Sequence, residues 1–221
     1  MFDSFALIFD WDGVIVDSSM LHQRSCEILA DELNMPLPNN HFCKGFGKRN
    51  ETIIPEILRW TRDHQKIAAW GKRKEEIYRL LAKEEGIVLQ KGARQFLEFA
   101  HKASIPCSVG TSTEKANVEL ACSQFGLEKF FLSITSSEDV SEGKPNPEVF
   151  IKACKKLSVS PENAVVFEDS PHGIKAGIAG GMKTIALTTT HNLKAFSDLH
   201  PSMIIDSFDD LRMDNVRELF S

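Results

Sequence analysis

Apolar residues fall along this chain in two textures. The first is the short, nearly continuous run: Ala6-Leu7-Ile8-Phe9, Ala164-Val165-Val166-Phe167, Thr184-Ile185-Ala186-Leu187 and Met203-Ile204-Ile205. Runs of this length, bounded by turn residues, are the pattern of strands buried on both faces of a parallel sheet. Residues 105–109 and 131–135 read as two more strands. The second texture is apolar residues three and four apart, which predicts amphipathic helices over 93–103, 114–125, 146–157, 173–179 and 209–220. Gly126 follows the second of these helices, and Pro147 stands near the first turn of the third. Strands that alternate with helices imply right-handed crossovers, and so an α/β fold with a Rossmann-like, doubly wound parallel sheet.

One block interrupts the alternation. After Asp17, the residues Met20, Leu21, Cys26, Ile28, Leu29 and Leu33 recur at mostly helical spacing, until Asn34-Met35-Pro36-Leu37-Pro38 breaks the pattern. A turn-rich stretch, Cys43-Lys44-Gly45-Phe46-Gly47-Lys48-Arg49-Asn50, comes next. Ile53, Ile54, Ile57, Leu58 and Trp60 suggest a second helix, and residues 70–83 a third. No strand is expected between residues 18 and 90, so that span is read as an inserted all-helical domain. Residues 1–17 and 91–221 then form the α/β core.

Composition narrows the partners. The 221 residues carry 26 Lys and Arg against 31 Asp and Glu, a formal net charge of -5. Without a basic excess, neither nucleic acid nor an anionic membrane surface is an expected partner, and an anionic substrate must be held by local charges. The apolar runs fall far short of the roughly 18 residues that cross a bilayer. Met1-Phe2-Asp3-Ser4 has no basic segment ahead of an apolar stretch, which speaks against a secretory signal and for a cytoplasmic location. The five cysteines, Cys26, Cys43, Cys107, Cys122 and Cys154, are scattered without a Cys-x-x-Cys pair, and are read as free thiols rather than a zinc site or disulfide framework.

Candidate chemistry begins where the first apolar run ends. Asp10 and Asp12 follow Phe9 with one residue between them, and in an extended chain they project to the same side while Trp11 faces away. Like charges held so close need a cation or a shared proton. The carboxyl ends of the strands in an open parallel sheet are where ligands bind. A metal-assisted site with a carboxylate nucleophile follows, although an isolated pair of acids also ends many strands at solvated turns. Glu168-Asp169 is a second acidic pair after a buried run, suited to an oxygen-rich shell for Mg²⁺. Val109-Gly110 leads into Thr111-Ser112-Thr113, where a hydroxyl and backbone amides ahead of a helix offer an anion site or a simple cap. Lys144 stands beside Pro145 and Pro147, and a fixed ammonium there would balance charge and hold a transferred group.

Asp10-Trp11-Asp12-Gly13, Thr111-Ser112, Lys144-Pro145-Asn146-Pro147 and Glu168-Asp169, in that order and spread over essentially the whole chain, resemble the motif set of the haloacid dehalogenase superfamily. The likeness is to its phosphatase and phosphomutase branch, with a helical cap inserted after the first motif. That resemblance implies a Rossmann-like core and a mobile cap. It implies Asp10 as the nucleophile that becomes an aspartyl phosphate, Asp12 as general acid and base, and Thr111, the Ser112 amide and Lys144 as phosphate-binding groups. Asp10, the Asp12 carbonyl and Asp169 would hold Mg²⁺, with Glu168 as a ligand or a support. Asp12 argues for phosphoryl transfer, because the dehalogenases use a single aspartate in this motif. Gln90-Lys91-Gly92 departs from the Pro-Gly that relatives often carry where the chain re-enters the core.

Specificity is expected in the inserted helices. His22, Arg49 and Lys74 fall roughly where β-phosphoglucomutases carry a histidine, an arginine and a lysine. The expected function is a Mg²⁺-dependent phosphatase of a small phosphate monoester, a sugar phosphate or phosphoglycolate-like compound, working as a monomer or weak dimer. The alternatives are a β-phosphoglucomutase-like phosphomutase and a non-catalytic protein that binds a phosphorylated ligand.

Overall fold

The structure, a computed structural model, describes residues 5–221. The expectation drawn from Met1-Phe2-Asp3-Ser4 lies outside the described residues. The chain runs β1 (Ala6–Phe9), β2 (Val16–Asp17), α1 (Ser19–Leu33), α2 (His41–Gly45), α3 (Asn50–Thr52), a π-helical turn (Ile53–Leu58), α4 (His64–Glu85) and β3 (Val88–Leu89). It continues with α5 (Ala93–Lys102), β4 (Cys107–Gly110), α6 (Lys115–Phe125), β5 (Ser133–Thr135), α7 (Glu148–Leu157), β6 (Ala164–Glu168), α8 (Pro171–Ala179), β7 (Lys183–Leu187), β8 (Met203–Ile205) and α9 (Met213–Glu218). Two compact units result: Met1–Asp17 with Leu89–Ser221, and Ser18–Val88.

In the first unit, six strands form one sheet in the order β5-β4-β1-β6-β7-β8. Every neighbouring pair is parallel. The chain moves outward from β1 to β4 and β5, then returns to the other side of β1 for β6, β7 and β8. The crevice created by that reversal lies at the carboxyl end of β1, the site a doubly wound sheet offers to a ligand. Its register is fixed by apolar packing on both faces. Phe9 stacks on Phe167 with ring centroids 4.7 Å apart, and Phe96 and Phe208 close around them. On the other face Ile8 and Val166 pack with Val149, Phe150, Ala176 and Met182. A one-residue slip in β1 would exchange these two sets, so the core also sets the height at which Asp10 leaves the sheet.

The second unit is built on α1 and α4. Leu21, Cys26, Leu29 and Ala30 are buried on α1, and Ile67, Ile77, Tyr78, Leu81 and Ala82 on α4. Helix α4 begins at His64, ahead of the expected residue 70, because Asp63 accepts hydrogen bonds from the Gln65 and Lys66 amides at 2.8 and 3.3 Å and so caps a polar first turn. The helix expected around Ile53 winds as a π-helix, with Pro55, which has no N–H to donate, inside it.

Two expectations are corrected. Residues 18–90 are not free of strand: Val88–Leu89 forms β3, which makes a separate two-stranded sheet with β2. A two-residue strand is too short to leave a period. The closing helix over 209–220 is also not continuous. A 3-10 turn at Phe208–Asp210 is closed by reciprocal bonds between Ser207 and Asp210, the chain extends through Leu211 and Arg212, and α9 starts only at Met213.

Candidate active site

The ends of three strands meet at one level. Phe9 pairs with Val109 on one side and Phe167 on the other, so the next residues, Asp10, Gly110 and Glu168, stand side by side. The Asp10 amide donates to the Phe167 carbonyl at 2.9 Å, which carries the β1–β6 ladder one residue past the strand. Asp10, Asp12, Thr111, Lys144, Glu168 and Asp169 are all buried. Trp11 turns away from them, as the alternation requires, and its ring meets Phe131 edge-on.

Lys144 is the counter-charge of this group. Its Nζ lies 2.9 Å from Asp10 Oδ1 and 2.8 Å from Glu168 Oε1, donates to the Gly110 carbonyl at 3.2 Å, and sits 4.6 Å from the centre of the Phe150 ring. Gly110 makes room for this arrangement, because a Cβ there would stand 2.9 Å from Phe150. Glu168 is engaged at both oxygens: Oε2 accepts from the Ser170 amide at 2.8 Å and its hydroxyl at 2.9 Å. Ser170 Oγ in turn accepts from the Gly173 amide at 3.1 Å and caps α8.

Asp10, Glu168 and Asp169 crowd around the one ammonium of Lys144, and the surplus of negative charge shows in the acidities of Asp10 and Asp169. Burial pushes Asp10 up to about 7, with Glu168 adding to the rise and Lys144 opposing it. Burial likewise raises Asp169 well above the usual carboxylate range, reinforced by Glu168 and Asp10. Burial works against the charged form of Lys144, but Asp10 and Glu168 outweigh it and raise its pKa. Oxygens of Asp10, Glu168 and Asp169 lie within 4.8 Å of one another. Asp169 is fully buried, yet neither of its carboxylate oxygens makes a well-formed hydrogen bond. Orphaned buried oxygens in an all-carboxylate cluster are a donor set for a hard divalent cation, and the residues present fit one.

On the other flank of Asp10, the Thr111 amide is used by the Thr135 carbonyl, and the Thr113 amide by Thr111 Oγ1. Among the described residues the Ser112 amide has no such partner and is available to an anion.

This arrangement has relatives. Residues 7–187 match the family described as Haloacid dehalogenase-like hydrolase. The chain belongs to the haloacid dehalogenase-like hydrolases. It is 35% identical over 197 residues to validoxylamine A 7'-phosphate phosphatase of Streptomyces hygroscopicus subsp. limoneus, covering 86% of this chain and 89% of that protein. It is 33% identical over 215 residues to the chloroplastic 5-amino-6-(5-phospho-D-ribitylamino)uracil phosphatase of Arabidopsis thaliana, covering 96% of this chain but only 57% of that longer protein. The solved structure of CbbY from Rhodobacter sphaeroides in complex with phosphate superimposes with a TM-score of 0.83 at 28% identity, with 96% of each chain covered. Hydrolases of this family generally use a divalent metal, in keeping with the carboxylate cluster. Among the described residues, no helix is long and apolar enough to cross a membrane.

In the helical unit of this hydrolase, two of the three expected substrate residues come together. Lys74 Nζ lies 3.3 Å from His22 Nδ1 and 2.8 Å from Glu75 Oε1, and the His22 ring stacks on Tyr78 at 4.1 Å. Asn50 donates to Glu75 Oε1 at 2.8 Å. Arg49, at the N-cap of α3, has its Nε 3.3 Å from Glu51. Several residues that hold these groups were not singled out from the sequence. Glu75 is hidden in the charged run Lys72-Arg73-Lys74-Glu75-Glu76, which reads as a solvated face. Thr189, Thr190 and His191 follow β7, and the signal that could have found them is the one used elsewhere, polar side chains at the carboxyl end of a buried strand.

Proposed function

We propose that this hydrolase is a Mg²⁺-dependent phosphatase that acts on a small phosphorylated metabolite, a sugar phosphate or phosphoglycolate-like compound, through an aspartyl phosphate on Asp10. The observation that carries the reading is a buried carboxylate at the switch point of the sheet with an ammonium 2.9 Å away and two further carboxylates beside it. An Asp10 oxygen attacks phosphorus, the bond to the leaving oxygen breaks, and Asp12 gives that oxygen its proton. Asp12 then takes a proton from water as the water oxygen attacks phosphorus, and the Asp10 carboxylate and inorganic phosphate are released. Lys144, the Thr111 hydroxyl and the Ser112 amide hold the phosphate oxygens, so that charge is met by groups already in place.

Asp10, Asp169 and the Asp12 carbonyl would hold the metal. Glu168, whose two oxygens are occupied, serves as their support by fixing Lys144 and the turn at Ser170. When bound, Mg²⁺ supplies the positive charge that lets an anionic nucleophile approach an anionic phosphate. His22, Arg49 and Lys74 contact the rest of the substrate, and the two phosphatase relatives, each named for a polar phosphorylated organic substrate, support a molecule of that kind.

The test is phosphate release across sugar phosphates, phosphoglycolate and nucleotides, with and without Mg²⁺, alongside Asp10→Asn and with β-glucose 1-phosphate conversion followed in parallel. Release that needs Mg²⁺ and vanishes in Asp10→Asn supports the phosphatase. Glucose 6-phosphate formed with little free phosphate would make the protein a phosphomutase, and no turnover of any kind would leave a binding protein.

A further inference from the structure

The loop that follows β7 reaches both acidic turns with consecutive side chains. Thr189 Oγ1 donates to the Gly13 carbonyl at 2.6 Å, across 176 residues of sequence. The Thr190 hydroxyl stands beside the Asp169 carboxylate, the two meeting over Gly13. It is also only 2.8 Å from where a Cβ of Gly13 would be. His191 Nδ1 lies 3.1 Å from the Asp169 carbonyl, and since a carbonyl only accepts, the ring proton is on Nδ1. The His191 ring meets Phe196 edge-on. Thr188 faces elsewhere: its amide and hydroxyl bond to the Ile205 carbonyl and the Asp206 carboxylate.

We infer that Thr189, Thr190 and His191 form a positioning clamp that sets the distance between the Asp10–Gly13 turn and Asp169, and through it the affinity for the divalent cation. The inference rests on the metal reading proposed above. Among the described residues the β1–β6 ladder ends at Phe9 and Phe167, with the Asp10 amide one step beyond, and past it Lys144 links Asp10 to Glu168 but reaches neither Gly13 nor the Asp169 carbonyl. Past that point the Gly13 carbonyl and Asp169 are held in common by the clamp, on a loop whose base is anchored to β8 through the Thr188 backbone amide, a bond that a valine at this position keeps. Groups that orient metal ligands without touching the metal typically change affinity or activity by about 10–100-fold when removed.

The test uses the full chain, with Mg²⁺ alone as the probe and no substrate. Metal binding is followed by Trp fluorescence and by the Mg²⁺-induced rise in melting temperature. In Thr190→Val and Thr189→Val, the Mg²⁺ concentration at half-saturation should rise by about 10–100-fold, while Thr188→Val stays at the wild-type value and Thr190→Ser recovers most of the loss. In turnover assays Thr190→Val should need more Mg²⁺, with kcat at saturating Mg²⁺ and the substrate KM close to wild type. A role limited to folding would lower the melting temperature without moving the Mg²⁺ midpoint, and that result in both Val variants overturns the inference. If Thr190→Val does not fold, Thr189→Val decides alone. A wild-type protein without any Mg²⁺ response would overturn the metal reading itself, and the clamp's role with it.

Discussion

Asp169 Oδ2 occupies the space that a side chain at residue 13 would need: a Cβ built on Gly13 would lie 1.9 Å from that oxygen and 2.8 Å from Thr190 Oγ1. Gly13 also has φ of +80°, a conformation that side chains other than glycine's rarely adopt. Both facts make the glycine of the first motif a spacer that lets the Asp10–Asp12 turn close onto the second acidic pair. Gly13→Ala should therefore displace Asp169 and cost about 10²-fold in turnover, as a misplacement on the order of 1 Å commonly does. A Mg²⁺ titration of the same variant should show weakened binding. Wild-type turnover would mean that the two turns do not need this approach.

Lys144 is shared by Asp10 and Glu168. Replacing it by Met leaves two buried carboxylates without their counter-charge, and breaking such a buried pair commonly destabilises by about 3–5 kcal/mol. In the proposed mechanism it also removes a donor to the transferred phosphate, a loss of about 10²–10³ in kcat. Urea unfolding and phosphate release on Lys144→Met check the two losses separately. A variant of wild-type stability would show that the carboxylates are neutralised in another way.

The acid pair carries a pH signature. Burial raises the Asp10 carboxyl to about 7 and raises Asp169 as well, so between the ordinary carboxylate range and neutrality the folded metal-free protein binds more protons than the unfolded chain. With that sign, these groups make the metal-free protein less stable as pH rises through that window. A divalent cation binds the ionised carboxylates and so reverses the loss. The Mg²⁺-induced rise in melting temperature should be larger at about pH 8 than at about pH 6, and binding should release protons at the lower pH. Equal shifts at both values would count against Asp10 and Asp169 as the metal-binding pair.

Much of the site could be read from the sequence because it depends on strand ends. A buried strand leaves a continuous apolar run, and whatever follows it must leave the sheet at the carboxyl edge, so the sequence alone puts Asp10, Thr111 and Glu168-Asp169 at that edge. Lys144 was found by its company beside prolines rather than by any period. The clamp residues were missed because a Thr-Thr-Thr-His run has no charge pattern or periodicity, and its meaning lies in contacts with residues far away in the sequence, such as Gly13. The closing helix failed for a local reason: capping by Asp210 and then Asn215, each bonded to the amide three residues earlier, overrode an apolar period that ran through both segments. Glu75 shows the limit of charge patterning, since a run of charged residues does not reveal which member points inward.

Glu75 itself gives the last prediction. Burial alone would raise its pKa, but the charges of Lys74 and His22 and the hydrogen bonds from Lys74 and Asn50 outweigh burial and hold the carboxyl down at about 2. Gly71 lets Asn50 in close, because a Cβ there would stand 3.0 Å from the Asn50 Cβ. A carboxylate with a depressed folded pKa contributes stability that is present above its unfolded value and is lost as pH falls through its folded one. Here the window runs from the ordinary glutamate range down to about 2. Glu75→Gln keeps the shape and removes the charge, so it should be less stable than wild type at neutral pH. The gap should narrow as acid protonates Glu75 in the wild type. Paired thermal melts across that range check it. A gap that stays constant down to the lowest pH would mean that the carboxylate's charge is not what holds Lys74, Asn50 and His22 together.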